Sequence, residues 1–295
     1  MVLNFGSVSV HLGAQSGKYP DGNQVLVRGA DVHVAFDTPV ASRQRADLLS
    51  SIDLVILGHV HEDHMAALDL LTHAGLMVHE ADVAAARSWD GLKAHYGYAE
   101  ATLQGVRDMI ERDFHYAPRP DALPYADGQS WDLGGGVRIR AHHLPGHTAG
   151  HCALVVENEG LAFIGDIDLS GFGPYYGDAT SSLSDFRNTL RLVAELDARI
   201  WVTSHHKAVI TDRDQFLRDL AKFASRIDER TDKLIEMLKH QPSSLSELVS
   251  QGFLYPPGHS APWTASAEER TLAQHLAELQ AQGRVVMDQG RYALV

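Results

Sequence analysis

The chain has 295 residues with 25 Lys+Arg against 38 Asp+Glu, a net charge of −13, and a 44% hydrophobic composition. That balance excludes a fibrous or largely disordered chain, and the acid excess argues against a nucleic-acid binder, which concentrates Lys and Arg to neutralise phosphates. The single cysteine, Cys152, excludes an intramolecular disulfide and a Cys-rich zinc motif, and no run of 18 apolar residues is present to span a membrane.

Because no Lys or Arg precedes Lys18 and no apolar core follows it, no secretory signal is expected, and the expected location is cytoplasmic. Val25-Leu26-Val27 and Val32 to Phe36 are short β-rich runs around Arg28-Gly29-Ala30-Asp31, which predicts a hairpin. Ile52 to Leu57 is a continuous apolar run closed by Gly58, the pattern of a strand buried on both faces. Met65 to His73 is then expected to be a helix, Leu76 to His79 a strand, and Asp82 to Arg87 a helix. Residues 88–125 hold Trp89, Tyr96, Tyr98, Phe114, Tyr116 and Tyr125 with weak helical periodicity, which predicts a helical insertion partly covering a cleft. Strand patterns return at Val137 to His143, Cys152 to Val156 and Leu161 to Ile164. An amphipathic helix is expected over Ser184 to Ala198 and a strand over Arg199 to Thr203. The alternation indicates an α/β fold.

The tail reads differently. Asp212 to His240 predicts a long helix, Ser244-Leu245-Ser246-Glu247 a capping box, Glu268 to Gln282 a further helix, and residues 285–294 a terminal hairpin. Helices followed by a hairpin resemble a winged-helix module, so the expected division is a catalytic domain over 1–225 and a C-terminal helical, winged-helix-like module over 226–295. The module carries 7 Lys+Arg and 9 Asp+Glu, a net of −2, which argues against reading DNA and leaves walling a groove or forming a homodimer contact.

Histidine is the unusual residue: there are 18, and nine fall in the segments 59–64, 142–151 and 205–206. In Gly58-His59-Val60-His61-Glu62-Asp63-His64, directly after a buried strand, His59 and His61 can turn toward one ion from an extended loop, and Asp63 and His64 toward a second position. His147 on a Pro-Gly turn, Asp166 and His205 each follow another predicted strand, so separate loops would bring them to one edge. With one cysteine available, the donor set is nitrogen and oxygen.

The order His-x-His-x-Asp-His, Pro-Gly-His-Thr-x-Gly-His, Gly-Asp, Ser-His, over roughly residues 4–210, resembles the metallo-β-lactamase superfamily. The resemblance implies an αββα sandwich with two metal ions, zinc foremost and iron or manganese as alternatives. By matching positions it gives His59, His61 and His147 to the first metal, Asp63, His64 and His205 to the second, and Asp166 as a bridge. It implies a dinuclear hydrolase using a metal-bridging hydroxide on an ester, thioester, lactone or similar small molecule, with Asp63 orienting the nucleophile. Nuclease or phosphodiesterase action, a mononuclear iron oxidoreductase and a non-enzymatic sensor remain as alternatives on the same scaffold. Of the adjacent His205 and His206, which would face opposite sides of an extended strand, the motif order selects His205. Tyr175 and Tyr176, in the loop after Asp166, are candidate substrate contacts. His151 is the better candidate for supporting the ligands, and Asp168 for hydrogen-bonding one of them. Asp37 is expected to tie loops together and Cys152 to be a small buried residue.

Overall fold

The computed structural model describes residues 1–256 and 258–295. The first sheet runs in the order β1 (Val2–Phe5), β2 (Val8–His11), β3 (Gln24–Arg28), β4 (His33–Phe36), β5 (Leu54–Ile56), β6 (Gly75–His79) and β7 (Leu123–Tyr125). The first four strands are antiparallel neighbours and the last four run parallel. The second sheet consists of β8 (Ser130–Asp132), β9 (Arg138–His143), β10 (Cys152–Val156), β11 (Leu161–Phe163), β12 (Ile200–Val202) and β13 (Val209–Ile210), hydrogen-bonded in that order.

Alternation along these short apolar strands makes the layers, because successive side chains of a strand face opposite ways. In β10, Leu154 and Val156 join Val10, Val25, Phe36 and Ile56 of the first sheet in a core between the sheets. Ala153 and Val155 face outward, with Trp201, onto Phe186, Phe216 and Phe223 of two helices, α5 (Leu183–Leu192) and α6 (Arg213–His240). On the far side Val55, Leu57 and Val78 pack under α1 (Ala46–Leu49), α2 (Val83–Arg87), α3 (Trp89–Tyr96) and α4 (Glu100–Asp113). This is an αββα sandwich. Each fully buried Val, Leu, Ile or Phe contributes about 1.5–3 kcal/mol, so the layers form a stiff floor under the loops at their edge.

The segment expected as a helix over Met65 to His73 is not one. A 3-10 turn at Glu62–His64 precedes it, and it holds one at Leu68–Leu71. Met65, Ala66, Ala67, Leu68 and Leu71 are all buried, and Ala67 N–H donates to the Thr38 carbonyl, so tertiary packing takes the donors an α-helix would need. The helical insertion is present as α3 and α4.

α6 is capped by Asp212, whose side chain accepts from Gln215 N–H. It continues unbroken past residue 225. Phe216, Leu220, Phe223 and Ile227 pack on the sandwich, whereas Leu234 and Leu238 join a separate cluster with Leu248, Leu272, Leu276 and Val285. That tail cluster is built from the end of α6 together with α7 (Leu245–Ser250), α8 (Thr264–Ala281), β14 (Val285–Asp288) and β15 (Arg291–Leu294). The Ser244 side chain and Glu247 form the capping box of α7. α8 starts one turn before the expected Glu268. No helix among the described residues is long and apolar enough to cross a membrane.

Candidate metal centre

Strand ends place the candidate ligands. β11 and β12 are parallel with Phe163 opposite Val202, so the chain leaves both at the same edge and carries Asp166 and His205 out together. Gly165 makes the turn before Asp166 at φ +55°, and a Cβ there would lie 2.6 Å from His151 Nε2, so both backbone and space require glycine. His147 sits in the loop between β9 and β10, and Cys152 N–H donates to the Gly58 carbonyl, tying that loop to the one bearing His59 and His61.

The result is two adjoining groups of donors. His61 Nδ1 lies 3.2 Å from His59 Nε2 and 3.0 Å from His147 Nε2, and Asp166 Oδ2 is 3.3 Å from His147 Nε2 and 4.0 Å from His59 Nε2. Beside them, His205 Nε2 is 3.1 Å from Asp63 Oδ2 and 3.4 Å from Asp166 Oδ1, and His64 Nε2 is 3.2 Å from the same Asp166 oxygen and 3.6 Å from Asp63. Donors about 2.05 Å from a tetrahedral ion stand about 3.3 Å from one another, so this spacing is compatible with bound metal.

The far side of each ring decides which nitrogen faces inward. His61 donates from Nε2 to Asp178 Oδ2 at 2.8 Å, which turns Nδ1 inward. His64 donates from Nδ1 to Asp37 Oδ2 at 2.7 Å, His147 from Nδ1 to the Tyr175 carbonyl at 3.0 Å, and His205 from Nδ1 to the Gly17 carbonyl at 2.7 Å, leaving their Nε2 atoms inward. In their neutral form these rings turn lone pairs toward one another at about 3 Å, an arrangement that a cation would satisfy, and His64 Nε2 and Asp166 Oδ1 are buried without a hydrogen-bond partner. The residues fit bound divalent metal.

Electrostatics agree with that fit. Burial opposes ionisation of Asp166, but His205, His64 and His59 nearby and the His147 contact hold its carboxyl well below the usual range. Burial likewise opposes charge on His61 and His205. The Asp178 hydrogen bond nevertheless raises His61 to about 9, and Asp166 with Asp63 raises His205 to about 10. Both values lie above the ordinary 6.5, so at pH 7 these side chains carry protons that a metal must displace. Metal uptake at pH 7 is therefore expected to release protons, with affinity rising as pH increases toward 9–10. Calorimetric titration with zinc in buffers of different ionisation heats would contradict this if the heat did not vary with the buffer.

The remaining predicted residues divide. Tyr175 borders the cluster: its ring is 6.5 Å from His61 and 5.8 Å from His147, and its hydroxyl is 3.3 Å from Asp178. Tyr176 turns the other way. It is buried and bonded to His275 and Arg230 of the tail, because neighbouring residues of an extended loop face opposite sides. His206 does not lie on a strand, since β12 ends at Val202. It sits at φ +61°, exposed, 3.6 Å from Asp168, so Asp168 meets His206 rather than one of the inward-facing histidines. His151 accepts the Asp166 N–H and donates to the Leu144 carbonyl, and burial lowers its pKa to about 3. Burial raises the Cys152 thiol to about 12, an inert group.

Asp37 ties loops together as expected, holding both His64 and the Gly58 N–H. Three further supporting residues escape a sequence reading. Asp178, 117 residues from His61, accepts both His61 and the Tyr98 hydroxyl. Asp82 gathers Thr148, Gly150 and Val60. Glu62 accepts the hydroxyls of Tyr19 and Tyr96. Of the three, only Glu62, inside the histidine motif, carried a positional signal. Asp178→Asn keeps the shape but can present an amide N–H to His61, freeing the ring to adopt the wrong tautomer. Metal affinity at the first position is expected to fall about 10–100-fold, read by competition with a chromophoric chelator, and an unchanged affinity would deny Asp178 this role.

The sequence profile of the metallo-beta-lactamase superfamily matches residues 24–205. The chain belongs to that superfamily. Among solved structures, a metallo-beta-lactamase family protein from Thermus thermophilus superposes with a TM-score of 0.74 and 25% identity, over 98% of this chain and 99% of that one. A beta-lactamase domain protein from Burkholderia ambifaria does so with a TM-score of 0.69 and 17% identity, over 100% and 94%, a likeness of fold. Among characterised proteins, an atrochrysone carboxyl ACP thioesterase of Aspergillus fumigatus is 28% identical over 248 residues, which is 80% of this chain and 51% of that protein. Its counterpart in Aspergillus terreus is 25% identical over 246 residues, 82% and 65% respectively. This metallo-β-lactamase superfamily chain thus spans about half to two thirds of the length of these relatives.

Proposed function

We propose that this protein is a dinuclear metal-dependent hydrolase acting on a thioester of a small-molecule acid. The observation that carries the reading is Asp166, whose two oxygens face two separate sets of inward-turned donors. Thioesterase activity in the named relatives supports the choice of thioester among acyl compounds. His59, His61 and His147 would hold one ion, Asp63, His64 and His205 the other, with Asp166 between them. The nitrogen and oxygen donor set suits zinc, and also iron or manganese.

Bound ions of this kind supply Lewis acidity, polarising a carbonyl oxygen and making water acidic enough to attack near neutral pH. The chain's own residues prepare that chemistry. Burial opposes ionisation of Asp63, but His64 and His205 keep it ionised, so its carboxylate can accept a hydrogen bond from the attacking water and orient it. Asp37 and Asp178 lock the rings of His64 and His61. α3 brings Tyr96 against the His61 ring and the Glu62 carboxylate. In this reading residues 1–225 carry the chemistry and 226–295 form a module that helps wall the groove.

The deciding experiment is metal analysis of protein purified without chelators or affinity metals, together with a panel of thioesters, esters, lactones, β-lactams and RNA. Close to two ions per chain and preferential thioester cleavage are expected. At most one ion after reconstitution with excess zinc would sink the dinuclear reading, and cleavage of RNA but no acyl compound would sink the substrate class.

A further inference from the structure

The irregular stretch between β11 and α5 carries the groups that orient two histidines of the proposed first metal position. Tyr175 offers its carbonyl to His147 Nδ1 at 3.0 Å, and Asp178 its carboxylate to His61 Nε2 at 2.8 Å. Ser181 closes the arrangement, donating to the His147 carbonyl at 2.6 Å and accepting the Asp178 N–H at 3.1 Å. The second position is oriented from elsewhere, His64 by Asp37 and His205 by the Gly17 carbonyl.

This stretch has no helix or strand of its own, and it contains Gly171, Gly173 and Gly177. Its shape is taken from the tail. A Cβ on Gly173, at φ +83°, would collide with the Arg226 side chain of α6, and one on Gly177 would lie 2.7 Å from Ala267 Cβ of α8, so the backbone rests directly on both helices.

Side chains of the tail then fix it. Arg230, buried in α6, donates from Nη2 to the Phe172 carbonyl at 2.7 Å, and from Nη1 to the Pro174 carbonyl and, at 3.1 Å, to the Tyr176 hydroxyl. Gln274 of α8 donates to the Tyr176 carbonyl at 2.9 Å and accepts the Leu183 N–H at 2.6 Å. His275 meets the Tyr176 hydroxyl at 2.9 Å from one ring nitrogen and the Thr231 hydroxyl at 2.9 Å from the other. The carbonyls of Pro174 and Tyr176 therefore point to the tail, and that of Tyr175 between them points to His147. A planar guanidinium holds its acceptors at a set angle, and hydrogen bonds from a charged donor are about twice as strong as neutral ones, so Arg230 is the strongest of these holds.

We propose that Arg230 is a positioning residue for the first metal position: its grip on Phe172 and Pro174 keeps the Tyr175 carbonyl on His147 and, through the same loop, Asp178 on His61. The tail thereby sets the metal affinity of that position and leaves the second alone. The proposal rests on the division of donors into two positions and not on the substrate.

The test is zinc competition with a chromophoric chelator on full-length protein in two backgrounds, His205→Ala, which keeps the first position, and His147→Ala, which keeps the second. Adding Arg230→Met is expected to weaken zinc about tenfold in the first background, the lower end of the range for residues that support a ligand, and less than about twofold in the second. Arg230→Lys keeps the charge but cannot bridge two carbonyls at a set angle, so it should recover part of the loss. Gln274→Ala, a milder release of the same loop, should also weaken the first position alone, and it decides the matter if Arg230→Met fails to fold. Equal weakening in both backgrounds, or none in the first, overturns the role, because a general loss of structure would not choose between positions. A His147→Ala background that binds no zinc overturns the dinuclear reading, and the loss in the His205→Ala background still decides the role of Arg230. The expected losses in a protein that cleaves no acyl compound support the role and overturn the hydrolase reading instead.

Discussion

Asp166→Ala is expected to leave at most one metal ion per chain and to remove nearly all hydrolysis. Both of its oxygens are committed, Oδ2 toward His147 and His59 and Oδ1 toward His64 and His205, so one truncation takes a donor from each position. It would also remove the negative charge that lies between the two proposed ions, leaving their mutual repulsion uncompensated. The loss should exceed the roughly 10–100-fold typical of residues that only support a ligand. Elemental analysis with thioester hydrolysis checks it, and two ions retained at full occupancy would show that Asp166 bridges nothing.

His205→Ala and His206→Ala should differ sharply although the residues are adjacent. His205 is buried, locked by the Gly17 carbonyl and turned toward Asp63 and Asp166, whereas His206 is exposed beside Asp168. The first substitution should cost about one ion per chain and most activity. The second should leave metal content intact and change hydrolysis less than about twofold, as expected of a surface substitution remote from the chemistry. The reverse outcome would move the last ligand by one residue and leave the dinuclear proposal standing.

The sandwich and the position of its working edge were legible in the sequence because both rest on local signals. Apolar runs such as Ile52 to Leu57 and Cys152 to Val156 announce buried strands, and polar residues at their ends announce loops. The inward-facing donors were legible for the same reason: each sits just past a strand. The Met65 to His73 segment misled because an all-buried apolar stretch looks the same whether its backbone donors are spent on a helix or on a neighbour such as Thr38. The separation of His205 from His206 comes from a left-handed turn at His206, not from strand alternation, and nothing in the pair of identical side chains signals it. Asp178 and Asp82 were invisible because their meaning lies in partners 117 and 68 residues away, distances that leave no pattern in a linear text.

α6 serves two cores with one rod: Phe216 to Ile227 grips the sandwich, and Leu234 and Leu238 grip the tail. An α-helix turns about 100° per residue, so the count of residues between Ile227 and Leu234 acts as a gear setting that fixes the angle at which the tail is presented. One inserted residue there would leave both cores with every side chain they need and the metal ligands untouched. It would still turn the tail by about 100° and break the contacts that His275, Gln274 and Arg270 make with Tyr176 and Tyr96. Length in this helix is therefore under as tight a constraint as chemistry in the loops.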